Sequence, residues 1–238
     1  MKFVAIYSAV IAATMAFAGS AQSATLIDRT TVGYYNKGIG QVLDGTNPYQ
    51  GVHMFPKGDR VTKITVPASA EPDLSAASAM LSNWLIDPTD LGGTWSDSMV
   101  KIPRKWAAKT ETAIVYALDA GLGGIANTVA KISVDNGAYL WLNGTFVGGM
   151  SNTGVKNRKM NFIVDLGSLG AGMNYLQILR EDHGGSSKYD INVSGDYRNP
   201  AQLAETNPAL APVPLPASGL MLFAAAGGLA MVRRRKKA

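Results

Sequence analysis

The sequence predicts an all-β fold, a β-sandwich or jelly roll, flanked by an N-terminal signal helix and a C-terminal transmembrane helix. Eight short segments alternate apolar and polar residues or are rich in β-branched residues, and turn residues separate them. No stretch of the body shows a sustained helical repeat, which argues against crossover helices and a parallel sheet. The body, predicted as one domain over residues 24–199, is long enough to bury a sizeable core without disulfides, since cysteine is absent.

Gly, Pro, Asn or Asp residues bound the predicted strands. The strands are Val61–Val66, Glu111–Leu118, Thr128–Asp135, Ala138–Leu142, Thr145–Gly148, Met160–Asp165, Asn174–Arg180 and Lys188–Val193. In the last of these, alternation places Tyr189, Ile191 and Val193 on one face and polar residues on the other. A short helix is predicted within Pro72–Leu85.

The pattern of residues 1–23 predicts a signal peptide. Lys2 supplies a positive charge, Phe3 to Ala18 are apolar and uncharged, and small residues begin at Gly19. This order is typical of a secretory signal, and the small-x-small rule allows cleavage after Ala21 or after Ser23. The alternative is a buried N-terminal helix.

The other end of the chain predicts a linker and a membrane segment. Residues 200–212 are rich in proline and alanine, which indicates an extended, stiff linker. The apolar run from Leu215 to Val232 has 18 residues, about 27 Å as a helix, and a hydrocarbon core is roughly 30 Å thick. Basic residues that resist translocation follow it. They are Arg233, Arg234, Arg235, Lys236 and Lys237.

A proline motif stands directly ahead of this apolar run. Its residues are Val213, Pro214, Leu215, Pro216 and Ala217. With the apolar run and the basic cluster, the motif makes residues 213–238 resemble the PEP-CTERM class of sorting signals in its VPLPA-type variant. The commoner variant has a glutamate between the two prolines, where this chain has leucine.

This resemblance implies a set of partners and a location. Signal peptidase would cut the N-terminal segment, and the chain would be anchored transiently in the inner membrane of a Gram-negative bacterium. An exosortase-type transpeptidase would then cut near the proline motif and pass the protein to the cell surface or the polysaccharide matrix. The alternative is an ordinary C-terminal membrane anchor that is never cut.

The body contains a strong hairpin signal. Asn143-Gly144 lies between two apolar runs, and a type I′ turn needs positive φ at both central positions. Leu140 and Leu142 are expected on one face of the hairpin, and Tyr139 and Trp141 on the other. Together with the stretch 169–176, the hairpin resembles the galactose-binding-like jelly-roll fold over about 50 residues. That fold includes carbohydrate-binding modules and domains with no known ligand.

Two groups of residues are candidates for binding. Aromatic faces stack on sugar rings, so a lectin would use exposed aromatic side chains; packing in the core is the commoner role. The candidates are Trp84, Trp95, Trp106, Tyr139 and Trp141. Asp135 and Asn136 lie where a strand meets the hairpin and are candidate ligands for a structural calcium ion, with an Asx-turn as the alternative.

Charge and motifs argue against two further classes of function. The formal charge of +5 comes from the ends, because without Lys2 and the basic tail 16 Lys and Arg stand against 17 Asp and Glu. Nucleic-acid binding therefore has little support. The two histidines are His53 and His183, and neither a zinc-protease spacing nor a G-x-S-x-G elbow occurs. No catalytic residue is assigned, and no enzyme activity is expected.

The sequence therefore leaves three functions in order of preference. A structural or adhesive role in exopolysaccharide comes first, a carbohydrate-binding module second and a glycan-processing enzyme third. The third needs two facing carboxylates, whose separation exists only in the fold.

Overall fold

The structure is a computed structural model that describes residues 22–43, 48–49, 52–53, 64–151, 162–182 and 187–198. The predicted linker, the sorting motif Val213–Ala217, the basic cluster 233–237 and nearly all of the predicted signal peptide lie outside these residues. Within the described residues, no helix is both long and apolar enough to cross a bilayer.

The described residues are mostly strand. The strands are β1 (Gln22–Ile27), β2 (Val32–Gly40), β3 (Pro48–Tyr49), β4 (Val52–His53), β5 (Ile64–Val66), β6 (Val100–Lys101), β7 (Glu111–Asp119), β8 (Ile125–Asp135), β9 (Gly137–Leu142), β10 (Thr145–Ser151), β11 (Phe162–Leu169), β12 (Met173–Glu181) and β13 (Lys188–Tyr197). The predicted helix within 72–85 is reduced to a 3-10 turn at Ser75–Ala77 and one α-helical turn, α1, at Ser78–Leu81.

The strands form two large antiparallel sheets. The four-stranded sheet has the order β1-β13-β8-β11, and the seven-stranded sheet has the order β5-β10-β9-β12-β7-β2-β6. A separate pair is formed by β3 and β4. The all-β prediction is confirmed, and each of the eight predicted strands overlaps an observed one.

Side chains from both large sheets meet in an inner core. The four-stranded sheet contributes Ile132, Val164 and Ile191, among others, and the seven-stranded sheet contributes Ile114, Leu140 and Ile178. Burying an aliphatic side chain of this size stabilises a fold by roughly 1.5–3 kcal/mol. Tyr189, Ile191 and Val193 all belong to this core, so the predicted facing of β13 is confirmed.

A second apolar cluster, the outer core, covers the opposite face of the seven-stranded sheet. Segment 67–99 folds over this face and inserts Leu81, Trp84, Leu91 and Trp95. The sheet supplies a matching set of side chains. These are Ala113, Val115, Tyr139, Trp141, Phe146 and Leu179. The seven-stranded sheet is therefore buried on both faces where segment 67–99 covers it.

The β9–β10 hairpin has the turn that its sequence predicts. Asn143 and Gly144 have φ of 50° and 76°, the positive values of a type I′ turn. Leu140 lies in the inner core with Leu142 packed against it, whereas Tyr139 and Trp141 lie in the outer core. The predicted division of this strand between two faces is confirmed.

Candidate functional site

Polar side chains collect at one end of the two sheets, which we call the polar pole. Strands β8, β10 and β12 end there, and β7, β9 and β13 begin there. Its residues are Glu111, Asp135, Asn136, Ser151, Glu181 and Asp182. All of them except Asp135 are at most 3 % exposed. Burial of so many polar groups is costly unless each has an electrostatic role, so the polar pole is the first place to look for a function.

The strand register arranges three of the pole residues and Gly137 in one row. Glu111 on β7 lies opposite Glu181 on β12, Glu181 lies opposite Gly137 on β9, and Gly137 lies opposite Ser151 on β10. Residues directly opposite one another project to the same face of a sheet. This row belongs to the face of the outer core, because Ala113, two residues after Glu111, lies in that core.

Gly137 leaves space that the Glu181 side chain uses. A Cβ atom at position 137 would lie 2.8 Å from Glu181 Oε1 and 3.2 Å from Glu181 Cγ. The carboxylate therefore lies above the glycine and reaches from β12 toward β10. Burial raises the pKa of Tyr139, the next residue on this face of β9, and the nearby Glu181 carboxylate raises that pKa further.

The segment between β6 and β7 is tied to the pole by backbone hydrogen bonds. The Lys109 amide donates to Asp182 Oδ2 at 3.0 Å, and the Asp182 amide donates to the Thr110 carbonyl. The Trp106 amide donates to Ser187 Oγ, and Ser187 Oγ donates back to the Trp106 carbonyl. This segment closes the pole over the space between the sheets.

Arg180 lies beneath this segment with its guanidinium fully buried. Its Nε donates to Thr112 Oγ1 at 2.8 Å, and its Nη1 donates to the Pro103 carbonyl at 2.9 Å. Rings of Trp106 and Tyr189 lie 4.1 and 4.6 Å from the guanidinium carbon. Desolvated cation–π contacts of this kind contribute about 2 kcal/mol each.

Burial sets the ionisation of this cluster. It lowers the pKa of Arg180, while the neighbouring Tyr35 and Tyr189 act in the opposite direction. Burial also raises the pKa of Tyr116 to about 12, against a smaller opposing effect of its hydrogen bond with Tyr189. The two phenol oxygens lie 3.4 Å apart. The cluster joins the two sheets, since Arg180 is on β12 and Tyr189 on β13, and its buried state indicates a structural role.

The aromatic residues that the sequence proposes as sugar contacts separate into two groups. Trp84, Trp95, Tyr139 and Trp141 are between 0 and 7 % exposed and belong to the outer core. Their faces are turned against one another, with Trp84 and Trp141 ring centres 5.3 Å apart. A sugar cannot stack on a ring whose faces are covered, so this arrangement favours the packing role for these four. Trp106 is half-buried and lies at the polar pole.

Asp135 and Asn136 lie at the polar pole, as the last residue of β8 and the link to β9. Asp135 is opposite Lys188 of β13, and the Asn136 amide donates to the Glu181 carbonyl at 2.9 Å. Across the residues described, no group of three or more His, Cys, Asp or Glu side chains is arranged to hold a metal ion. A calcium ion at Asp135 and Asn136 stays a prediction.

Two surface cavities lie on segment 67–99. One, of about 260 Å³, is mainly apolar and includes Leu74, Trp84 and Ile86 in its lining. The other, of about 320 Å³, is mainly polar and is lined by residues 89–93 and 95–97, with Trp95 among them. Trp84 lines the first cavity and Trp95 the second, and the centres of their rings lie 5.9 Å apart.

The sequence alone does not locate the polar pole, because Glu111 and Glu181 become neighbours only through the alignment of β7 with β12. Glu181-Asp182 is visible in the sequence only as part of a triplet with His183, which lies outside the described residues. No known protein family matches the chain, and no curated protein matches it.

Proposed function

We propose that this protein is an exported, exosortase-sorted component of the cell surface or extracellular matrix, with a structural or adhesive role in exopolysaccharide. The observation that carries the proposal is the C-terminal order of proline motif, apolar run and basic cluster in residues 213–238. A stretch that joins these three features is typical of a chain that is delivered to a membrane enzyme rather than folded into a core.

The organisation of the described domain supports this proposal. Its last strand ends at Tyr197, just ahead of the proline-rich linker, and its first strand begins at Gln22, just after the apolar N-terminal segment. Cleavage after Ala21 would leave β1 complete, whereas cleavage after Ser23 would remove its first two residues. A domain in which Trp84, Trp95, Tyr139 and Trp141 are buried suits a structural component more than a module that needs exposed rings.

The test is the mass of the mature protein recovered from the cell surface. Sorting predicts loss of residues after the cut near Val213–Ala217, with any added mass attached at the new C-terminus. A variant in which all five motif residues are alanine keeps the apolar run and the basic cluster, and it should remain in the membrane with an intact C-terminus. Surface delivery of this variant, or an intact C-terminus in the wild-type protein, would contradict the proposal.

A carbohydrate-binding module is the second candidate, and the polar cavity lined by residues 89–93 and 95–97 favours it. Asp90 and Asp97 are exposed at this cavity and could accept hydrogen bonds from sugar hydroxyls, with Trp95 at its wall. Titration calorimetry with neutral oligosaccharides tests this candidate. Binding that is lost in Asp90→Asn and Asp97→Asn and kept in Asp165→Asn would support it, and absence of heat at millimolar sugar would remove it.

A further inference from the structure

We propose that the row formed by Glu111, Glu181 and Ser151 at the polar pole binds a calcium ion, at a place distinct from Asp135 and Asn136. Calcium takes oxygen ligands from carboxylates, carbonyls and hydroxyl groups. The row offers two carboxylates from neighbouring strands and one hydroxyl from the strand beyond Gly137. The proposal concerns the folded domain and is independent of how the protein is sorted.

Ser151 provides the observation that points to a ligand. Its side chain is 2 % exposed, and its Oγ has no hydrogen-bond partner among the residues that the structure describes. A hydroxyl buried without a partner costs roughly 1–3 kcal/mol. Because Ser151 lies opposite Gly137 on the face that carries Glu181, this hydroxyl faces the space above the glycine.

The spacing of the oxygens fits an ion of this size. Glu181 Oε1 lies 2.8 Å from the point where a Gly137 Cβ would be, and the Met150 carbonyl oxygen lies 3.3 Å from the same point. Strand β9 separates the strands of Ser151 and Glu181, but the Glu181 carboxylate lies above Gly137, and Ser151 is opposite Gly137 on the neighbouring strand. Neighbouring strands are about 4.8 Å apart, so the Ser151 hydroxyl is on the order of 5 Å from this carboxylate. Two ligands on opposite sides of a calcium ion, each at about 2.4 Å, have that separation.

Charge also favours a divalent cation in this row. Glu111 and Glu181 lie directly opposite each other on β7 and β12, and like charges in this position repel. A calcium ion held between Glu181 and Ser151 would attract both carboxylates in a site with little contact to water. The site uses two carboxylates, a hydroxyl and a backbone carbonyl, and so differs from the clusters of three acidic or imidazole side chains that are absent from the described residues.

The test measures binding to the full-length chain purified in detergent. Terbium(III), a luminescent substitute for calcium, should emit on excitation of aromatic residues, because Tyr139 is adjacent to Glu181 on this face. Calcium should displace the terbium with a dissociation constant of about 1 mM or tighter, the range of extracellular calcium modules. Saturating calcium should raise the melting temperature by about 5 °C or more relative to chelator.

Matched variants test whether the ion binds at this row. Glu181→Gln should abolish the terbium emission, and Ser151→Ala, the milder change, should weaken binding by about tenfold or more. Asp165→Asn and Ser98→Ala, which alter exposed side chains outside the polar pole, should bind like the wild type. If Glu181→Gln does not fold, Ser151→Ala decides the matter. Absence of calcium-dependent stabilisation, or undiminished binding by Ser151→Ala, would overturn the proposal.

Discussion

The guanidinium carbon of Arg180 lies 4.1 Å from the centre of the Trp106 ring, and this contact joins the β6–β7 segment to the inner core. Tyr189 faces the same guanidinium from the four-stranded sheet at 4.6 Å. A buried cation between aromatic faces from different elements holds those elements in one arrangement. The polar pole depends on this contact, because the segment that carries Trp106 also donates to Asp182.

Truncation of Trp106 should test that dependence. Trp106→Ala removes both ring burial and the cation–π contact, and we expect a loss of about 3 kcal/mol in the free energy of unfolding. Trp106→Phe keeps a ring over Arg180 and loses the indole hydrogen bond to the Thr110 carbonyl, at a cost of about 1 kcal/mol. Urea unfolding measures both, with Ile86→Ala at an 88 % exposed position as the control. Equal losses for the two Trp106 variants would contradict this role for the ring face.

Alkaline pH should destabilise the protein through its buried tyrosines. Burial raises the pKa of Tyr116 from 10.0 to about 12, so the unfolded chain loses this proton at lower pH than the folded protein. The stability is therefore complete below pH 10 and falls as the pH rises from 10 toward 12. Tyr116 alone accounts for about 2–3 kcal/mol over this interval.

Urea unfolding at a series of pH values between 8 and 12 measures this effect. Tyr116→Phe removes the phenol, so its stability should fall less steeply above about pH 10 than that of the wild type. Tyr189→Phe should act in the same direction, because burial also raises the pKa of Tyr189. Parallel curves for the wild type and Tyr116→Phe would show that this tyrosine does not govern alkaline stability.

The β9–β10 turn should be sensitive to substitution at Gly144. A Cβ at this position would lie 2.2 Å from the Leu85 carbonyl oxygen, and φ there is +76°. Gly121 has a similar φ of +60° but no atom within 4 Å of the added Cβ. Gly121→Ala should therefore cost only the conformational strain of about 1–2 kcal/mol, and Gly144→Ala should cost about 2 kcal/mol more, since segment 67–99 must move. Thermal unfolding compares the two, and equal losses would show that the Leu85 contact is not limiting.

Trp141 should behave as a core residue. It is fully buried, and its indole nitrogen donates to Glu71 Oε1 at 2.8 Å, which fixes segment 67–99 on the sheet. Trp141→Ala should lower the free energy of unfolding by about 3–5 kcal/mol. Denaturant unfolding of the variant is the measurement, with Tyr175→Ala at a half-buried position of the same sheet as comparison. A loss below about 1 kcal/mol would favour a surface binding role for this ring instead.

Strand β2 is an observed strand that the sequence does not predict, because Gly33, Gly38 and Gly40 interrupt its pattern. The structure gives a reason for the first two glycines: a Cβ at Gly33 would lie 2.7 Å from the Val115 carbonyl oxygen, and one at Gly38 would lie 2.8 Å from Thr94 Cβ. These two glycines let neighbouring parts of the chain pack closely. A sequence analysis that takes glycine as a sign of a turn does not detect this role.

The candidate site was less predictable than the fold for a related reason. Trp84 and Trp95 are in a segment without regular periodicity, so its sequence does not reveal that it folds over the sheet and buries them. Glu111 and Glu181 are far apart in the chain, and only the antiparallel register of β7 and β12 makes them neighbours. Residues that become neighbours only through long-range strand pairing leave no local pattern in the sequence.

The position of β1 has a consequence for how the chain is made. Within the described part of the chain, β1 pairs with β13 alone, so the earliest strand of the domain is completed by the latest. Synthesis proceeds from the amino end. Strand β1 therefore has no partner strand for its backbone hydrogen bonds until residue 197 has left the ribosome. The four-stranded sheet therefore keeps one edge open until its last strand is available, and the domain can close only after its whole length has been made.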